Sequence, residues 1–297
     1  MKPLCLIPWT SIDIAPLGSM APCCKIQANH EDKPNILVDS LEDYSKSNFL
    51  KTIKEKMVKG EWPKECIRCK SEEEYNIKSK RILDYERWKD HWDTYTEDKG
   101  YIVASIAFGN TCNLKCITCK SSVSSRWRKE YFDVYGIDVK PIENITTEAN
   151  EIYDAMPNVI HFDIIGGEPL LSEIEKQKTL LQKYVDSGQS KNITLHYTTN
   201  AQIFPSDDWW NLWRNFAEVD IQLSIDGIGK RYEYIRYPAK NELLEQSVIK
   251  YLNQQDKISN IKLSISHTVS AYNIYYLSDF FDWCELYKLP RPWCGVV

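Results

Sequence analysis

The sequence predicts an α/β fold in the form of a partly open parallel barrel, with a small cysteine-rich region ahead of it. Three observations carry this. From residue 101 onward, short strand-like runs alternate with helical segments, the rhythm of βαβ units. Within those runs one parity is apolar and the other small or polar, so one sheet face packs on helices while the other resembles the wall of a wet cavity. Five cysteines fall within the first 69 residues, where strand-like runs are few.

The strand candidates are IVASIAF (102–108), IHFDII (160–165), ITLHYTT (193–199), DIQLSID (220–226) and IKLSISHTV (261–269). Between them SEIEKQKTLLQKYV, SDDWWNLWRNFAEV, NELLEQSVIKYLNQ and NIYYLSDFFDWCELY have the length of helices. Ser206 is the N-cap of the second, and the third begins after Pro238. A sixth strand begins at WCGVV, where the sequence stops, so the chain is read as truncated there, with an end on its last strand as the alternative. Ile221, Leu223, Ile225, Leu263 and Ile265 make the apolar parity. Gln222, Ser224, Asp226, Ser264, Ser266, Thr268, His196, Thr198, Asn200, Ser105, Ala107 and Gly109 make the other. Parallel sheets rarely leave a face bare, which favours a polar lumen over plain solvent. Residues 1–100 form the cysteine-rich region and 101–297 the barrel. The charged stretch SEEEYNIKSKRILDYERWKDHWDTYTEDKG reads as one helix with a solvated face, ending near Gly100, a surface or linker element.

Composition narrows the function. A net charge of −5 gives no reason to expect a nucleic-acid partner. The N-terminus, MKPLCLIPWTSIDIAPLG, has a broken apolar run and early prolines, unlike a signal peptide. No stretch reaches the ~18 apolar residues that would span a bilayer, and the cytoplasm is the default location. Ten cysteines in a reducing compartment point to metal or redox chemistry rather than to disulfides.

The segment NTCNLKCITCK sets Cys112, Cys116 and Cys119 within eight positions, just after the first barrel strand. Structural zinc sites take four ligands, usually as paired C-x-x-C knuckles. A cubane iron–sulfur cluster is usually held by four cysteines; with three, one iron keeps a position for an exchangeable ligand. GGEPLL follows the second strand, TTN closes the third and SIDG the fourth.

Taken in this order on successive strand ends, these motifs resemble the radical S-adenosylmethionine (radical SAM) superfamily, over roughly residues 101–297. The resemblance implies a partial (β/α)6 TIM-like barrel with a [4Fe–4S] cluster on Cys112, Cys116 and Cys119. Its open iron would bind the amino and carboxylate groups of SAM, and reductive cleavage would give a 5′-deoxyadenosyl radical that abstracts a substrate hydrogen. An electron donor such as flavodoxin or ferredoxin is implied. The SAM site it implies comprises Gly166, Gly167, Glu168, Asn200, Ser224, Asp226 and Arg236. The two glycines let backbone approach the methionine moiety, and Glu168 accepts from its ammonium. Ser224 contacts the ribose or carboxylate, Asp226 contacts ligand or fixes the turn before Gly227, and Arg236 lies near the carboxylate or on the surface. One departure is Thr118, where relatives carry an aromatic residue against adenine.

Cys5, Cys23, Cys66 and Cys69, with Gly18 five residues before Cys23 and a C-x-x-C at the end, resemble a SPASM/twitch auxiliary module. That implies a second, auxiliary [4Fe–4S] cluster, with Cys24 as the alternative to Cys23 and a structural zinc site as the alternative to the cluster. The module normally follows the barrel; here it precedes it. His196 is read as a hydrogen-bonded wall residue, His267 as structural and DDWWNLW as core. Cys284 and Cys294 are read as buried thiols, with a view of the cavity as the alternative for Cys294. The expected substrate is a peptide or protein. A nucleotide or other small-molecule substrate is the enzymatic alternative, and a non-catalytic zinc- or cluster-binding interaction protein the alternative of another class.

Overall fold

A computed structural model describes residues 4–26, 33–96, 99–142, 145 and 147–296. Its centre is one sheet of eight strands: β1 (Ser11–Ile14), β2 (Met20–Ala21), β3 (Val103–Ala107), β4 (His161–Ile165), β5 (Thr194–Thr199), β6 (Glu218–Ser224), β7 (Ile261–Val269) and β8 (Trp293–Val296). Their order across the sheet is β2-β1-β3-β4-β5-β6-β7-β8. Only β2 runs antiparallel to its neighbour. Parallel strands laid down in sequential order put every right-handed crossover on the same face, the winding of a barrel rather than of a doubly wound sheet. Among the described residues β2 and β8 are free edges, so the barrel is open.

The predicted strands all form. Burial alternates residue by residue along β5, β6 and β7, the apolar parity closed and the polar parity half-open. Tyr197, on the closed parity, packs on Trp209 and Trp213 of the helix Asp207–Trp213, with ring centroids 6.0 and 4.9 Å away. That aromatic run is therefore core, as expected. His267 packs its ring on Phe280 at 4.3 Å and lends Nδ1 to the Ile225 carbonyl at 2.8 Å, a structural role.

Three features differ from the expectations. The first is β1, a short parallel strand in the N-terminal region that extends the barrel sheet past β3. Its pairing starts where the Ile102 amide donates to the Thr10 carbonyl at 2.9 Å, so one sheet runs across the expected boundary at residue 100. The second is the charged stretch, which is not one helix. It breaks after Ile67–Glu74 at Asn76 (φ 57°) and restarts with Ser79 capping Lys80–Trp92. One side of the second helix meets the polar face of the sheet, where the Trp88 ring sits 5.1 Å from His161. The third is Cys294, which is exposed, whereas Cys284 is buried as expected. All ten cysteines are free. Among the described residues, no helix is long and apolar enough to cross a membrane.

Candidate functional site

The three-cysteine loop leaves the C-terminal end of β3 and is braced on every side. Its amides at Lys115 and Ile117 donate to the carbonyls of Tyr237 (2.7 Å) and Ile235 (2.9 Å), beyond β6. Ser124 Oγ donates to the Leu114 carbonyl at 2.6 Å and Trp127 Nε1 to the Cys116 carbonyl at 3.0 Å. Asn110, fully buried, donates from Nδ2 to the Ser121 carbonyl and accepts from the Ile142 amide. A loop held this firmly presents its sulfurs in a preset arrangement, as a cluster or metal site requires. Thr118, exposed, adds no wall to it.

GGEP closes the opposite side. The amides of Gly167 and Glu168 donate to the carbonyls of Gly109 (3.2 Å) and Thr111 (2.8 Å), zipping the end of β4 to the start of the cysteine loop. A Cβ on Gly167 would lie 2.2 Å from the Thr111 carbonyl oxygen, and one on Gly166 (φ 137°) 2.7 Å from that of Gly109. The glycines thus make room for the cysteine loop itself, a requirement prior to any ligand.

Glu168 is fully buried. Its Oε1 accepts from Thr199 Oγ1 (2.8 Å) and the Leu170 amide (3.2 Å), its Oε2 from the Asn200 amide (2.8 Å). The carboxyl ties β4 to β5, and burial pushes it up to about 7. Asn200 in turn donates Nδ2 to Asn113 Oδ1 at 2.7 Å, with Cys112 Sγ 4.0 Å away. Glycines, Glu168, Asn200 and the cysteine loop therefore form one connected unit. Ser224 stands at the inner end of β6, in register with Ser266.

Asp226 and Arg236 form a buried ion pair, Nη2 to Oδ2 at 2.8 Å. The pair is angled so that Asp226 Oδ2 and Arg236 Nε keep no hydrogen-bond partner. Asp226 Oδ1 accepts from the Thr268 amide at 2.8 Å. Arg236 is thus not on the surface, and its charge acts on Cys116 and Cys119. A thiol hydrogen bond from Cys119, aided by Arg236, draws Cys116 down to about 7, while Cys119, the donor, is pushed up. Burial raises Cys112 to about 11. Cys116 is the sulfur readiest to act as thiolate.

The N-terminal cysteines converge as well. Cys5, Cys23, Cys66 and Cys69 line one small apolar cavity with Lys80 and Arg81 at its margin. Cys24 is exposed and is not part of that lining. Burial pushes Cys5 and Cys66 up to about 12, so neither thiol ionises there without a bound positive centre.

Below the strand ends, the polar face carries a row of which only Ser105 and His196 were picked out from the sequence. Asp13, Ser105, Asp163, His196 and Asp220 stand in register on β1, β3, β4, β5 and β6. His196 Nδ1 meets Asp220 Oδ2 at 2.8 Å, and Ser264 Oγ donates to Asp220 Oδ1 at 2.7 Å. His161 Nε2 meets Asp163 Oδ1 at 2.9 Å. The signal was present: SIDI shows the same polar–apolar alternation as the longer strands, in four residues only.

Asp13 yields a pH prediction. Burial pushes its carboxyl from 3.8 up to about 6, against the Ser105 hydrogen bond. Between those values the folded state holds the proton that the unfolded state has released, so stability falls as pH rises through this window and stays lowered above it. Asp13→Asn should therefore exceed the parent by about 3 kcal/mol at pH 7 and match it near pH 4. Urea midpoints at the two pH values check this, and an equal gap at both would count against it.

No family model matches the chain, and no curated protein matches it. Among solved structures, native anSMEcpe with bound AdoMet is similar with TM-score 0.47 and 14% identity, over 65% of this chain and 51% of that one. Streptococcus suis SuiB bound to S-adenosylmethionine gives TM-score 0.45 and 15% identity, over 96% and 61%. TYW1 with a lysine-pyruvate adduct gives 0.33 and 18%, over 76% and 77%. The chain spans about half the length of the first of these. At such values the likeness says nothing of activity, which has to be read from the residues themselves.

Proposed function

We propose that the chain is a radical SAM enzyme acting on a peptide or protein. The observation that carries this is the cysteine loop: three thiols from one rigid segment at a strand C-terminal end, where parallel α/β folds hold their ligands. The residues fit the group. Cys112, Cys116 and Cys119 would hold a [4Fe–4S] cluster, and the unpartnered Arg236 Nε beside them is a buried donor waiting for an acceptor such as the SAM carboxylate. When bound, cluster and SAM supply a carbon-centred radical able to take a hydrogen atom from substrate.

The chain's own residues do the rest. Asn200 and Ser224 offer polar groups to SAM at the ends of β5 and β6, with the Glu168 carboxylate set behind Asn200. Glu168 and the two glycines keep the loop at a fixed height, and Asp226 holds Arg236 in the wall. Exposed Tyr234, Tyr237 and Tyr272 flank the loop's partner segment and suit an extended peptide. A groove lined by Lys115, Arg126, Arg128 and Lys129 against Glu130 and Asp138 suits an acidic electron donor of the flavodoxin or ferredoxin kind.

Cys5, Cys23, Cys66 and Cys69 would hold an auxiliary [4Fe–4S] cluster. A structural zinc ion on the same four thiolates, at ~2.3 Å from each sulfur, is the alternative occupant. Anaerobic reconstitution should load about eight irons per chain with a charge-transfer band in the visible. Bound zinc without iron would overturn the reading in favour of an interaction protein.

A further inference from the structure

We propose that the inner row of Asp13, Asp163, His196 and Asp220, with His161 one step below, is a binding subsite for a guanidinium or primary ammonium group. Its existence is independent of the cysteine loop; its use, to hold a cationic side chain of the substrate in the lumen, rests on the reading above.

The charge is unbalanced. The three carboxylates outnumber the two imidazoles, so the row is negative once Asp13 has released its proton above about pH 6. Among the described residues the ion pairs of Asp163 and Asp220 are with His161 and His196, and Lys33, whose charge acts on Asp13, donates to the Ile26 carbonyl at 3.4 Å. Lys80, on the helix that meets this face, is committed to Asp84 at 2.8 Å. Arg87 lies over the Trp88 ring, 4.6 Å from its centroid, and makes no ion pair with the row.

Two polar atoms are also left empty. Asp13 is 8% exposed and His161 4%, yet Asp13 Oδ2 and His161 Nδ1 have no hydrogen-bond partner. With Nε2 turned to Asp163, the His161 ring keeps Nδ1 as a second polar atom that no protein group meets. Buried polar atoms in this state want a partner, and a group bearing several N–H bonds supplies one to each neighbour. Asp163 and Asp220 keep 30% and 26% of their side chains open, so the row is not sealed. Trp88 closes its lower end with an aromatic face, a surface that favours cations. Asp13 also lowers the stability of the fold above about pH 6, the mark of a carboxylate kept for a ligand rather than for packing.

The test uses the full chain as purified, labelled with 15N-histidine, with methylguanidinium chloride as probe at pH 8. Ring signals are assigned by their loss in His161→Gln and His196→Gln. Both rings should shift saturably with methylguanidinium and stay still with potassium acetate at matched ionic strength. Asp163→Asn should weaken the apparent Kd about tenfold; should that variant not fold, Asp220→Asn is measured in the same way. A linear, unsaturable drift, or an equal response to tetramethylammonium, which has no N–H donor, overturns the proposal. So does an unchanged Kd in the variant. The readout needs neither iron nor SAM, so failure here and failure of the cluster reading are separately visible.

Discussion

Cys116→Ala should leave a folded chain that cannot cleave SAM. The sulfur is buried and its removal costs about 1 kcal/mol as packing, within the ordinary range for point substitutions. Its chemical loss is total, because a cluster already held at three corners would be left with two. Reconstituted iron should fall from about eight to about four per chain, the remainder belonging to the N-terminal cysteines. 5′-Deoxyadenosine should become undetectable. Cys284→Ala, on a helix of the outer layer, should change neither quantity. Retained 5′-deoxyadenosine formation by Cys116→Ala would falsify the assignment of the loop, whatever the iron count.

Much of this site was legible because parallel strands deliver their C-terminal loops to one end. Once 102–108, 160–165, 193–199 and 220–226 are read as consecutive strands, the cysteine loop, GGEP, TTN and SIDG must share a mouth. What local sequence could not show was which partner each residue takes. GGEP reads as a ligand turn, but what crowds Gly167 is the Thr111 carbonyl, from the loop after a different strand. That approach is set by topology, not by spacing. Glu168 likewise reads as a SAM acceptor, yet it spends its oxygens on Leu170, Thr199 and Asn200.

The N-terminal region was harder for the opposite reason. β1 has four residues between prolines, too short for its period to stand out, and it exists because the open edge of β3 needs a partner. The charged helix was half legible: its outer face is solvated as its composition says. The face bearing Trp88 and Lys80 could be assigned only once a polar sheet surface was there to receive it.

The largest stability effect should come from Asp226→Asn. Asp226 is fully buried and Arg236 is 9% exposed, so neither charge has water to fall back on. The asparagine keeps the volume and can still accept from the Thr268 amide, but its NH2 then faces the guanidinium, donor against donor. Removing one member of a buried pair strands the other, a loss of about 3–5 kcal/mol. The charge would turn to the nearest remaining anion, the Cys116 thiolate, which Arg236 already favours and Asp226 opposes. The metal-free variant should therefore alkylate faster than the parent at Cys116 near neutral pH. The double variant Asp226→Leu, Arg236→Met should recover most of the stability lost by the single one, since no charge is left unpaired. Urea titration of the set decides the matter: a single variant within about 1 kcal/mol of the parent would mean that the pair is not desolvated. A double variant as costly as the sum of its singles would mean that the two residues do not act on each other.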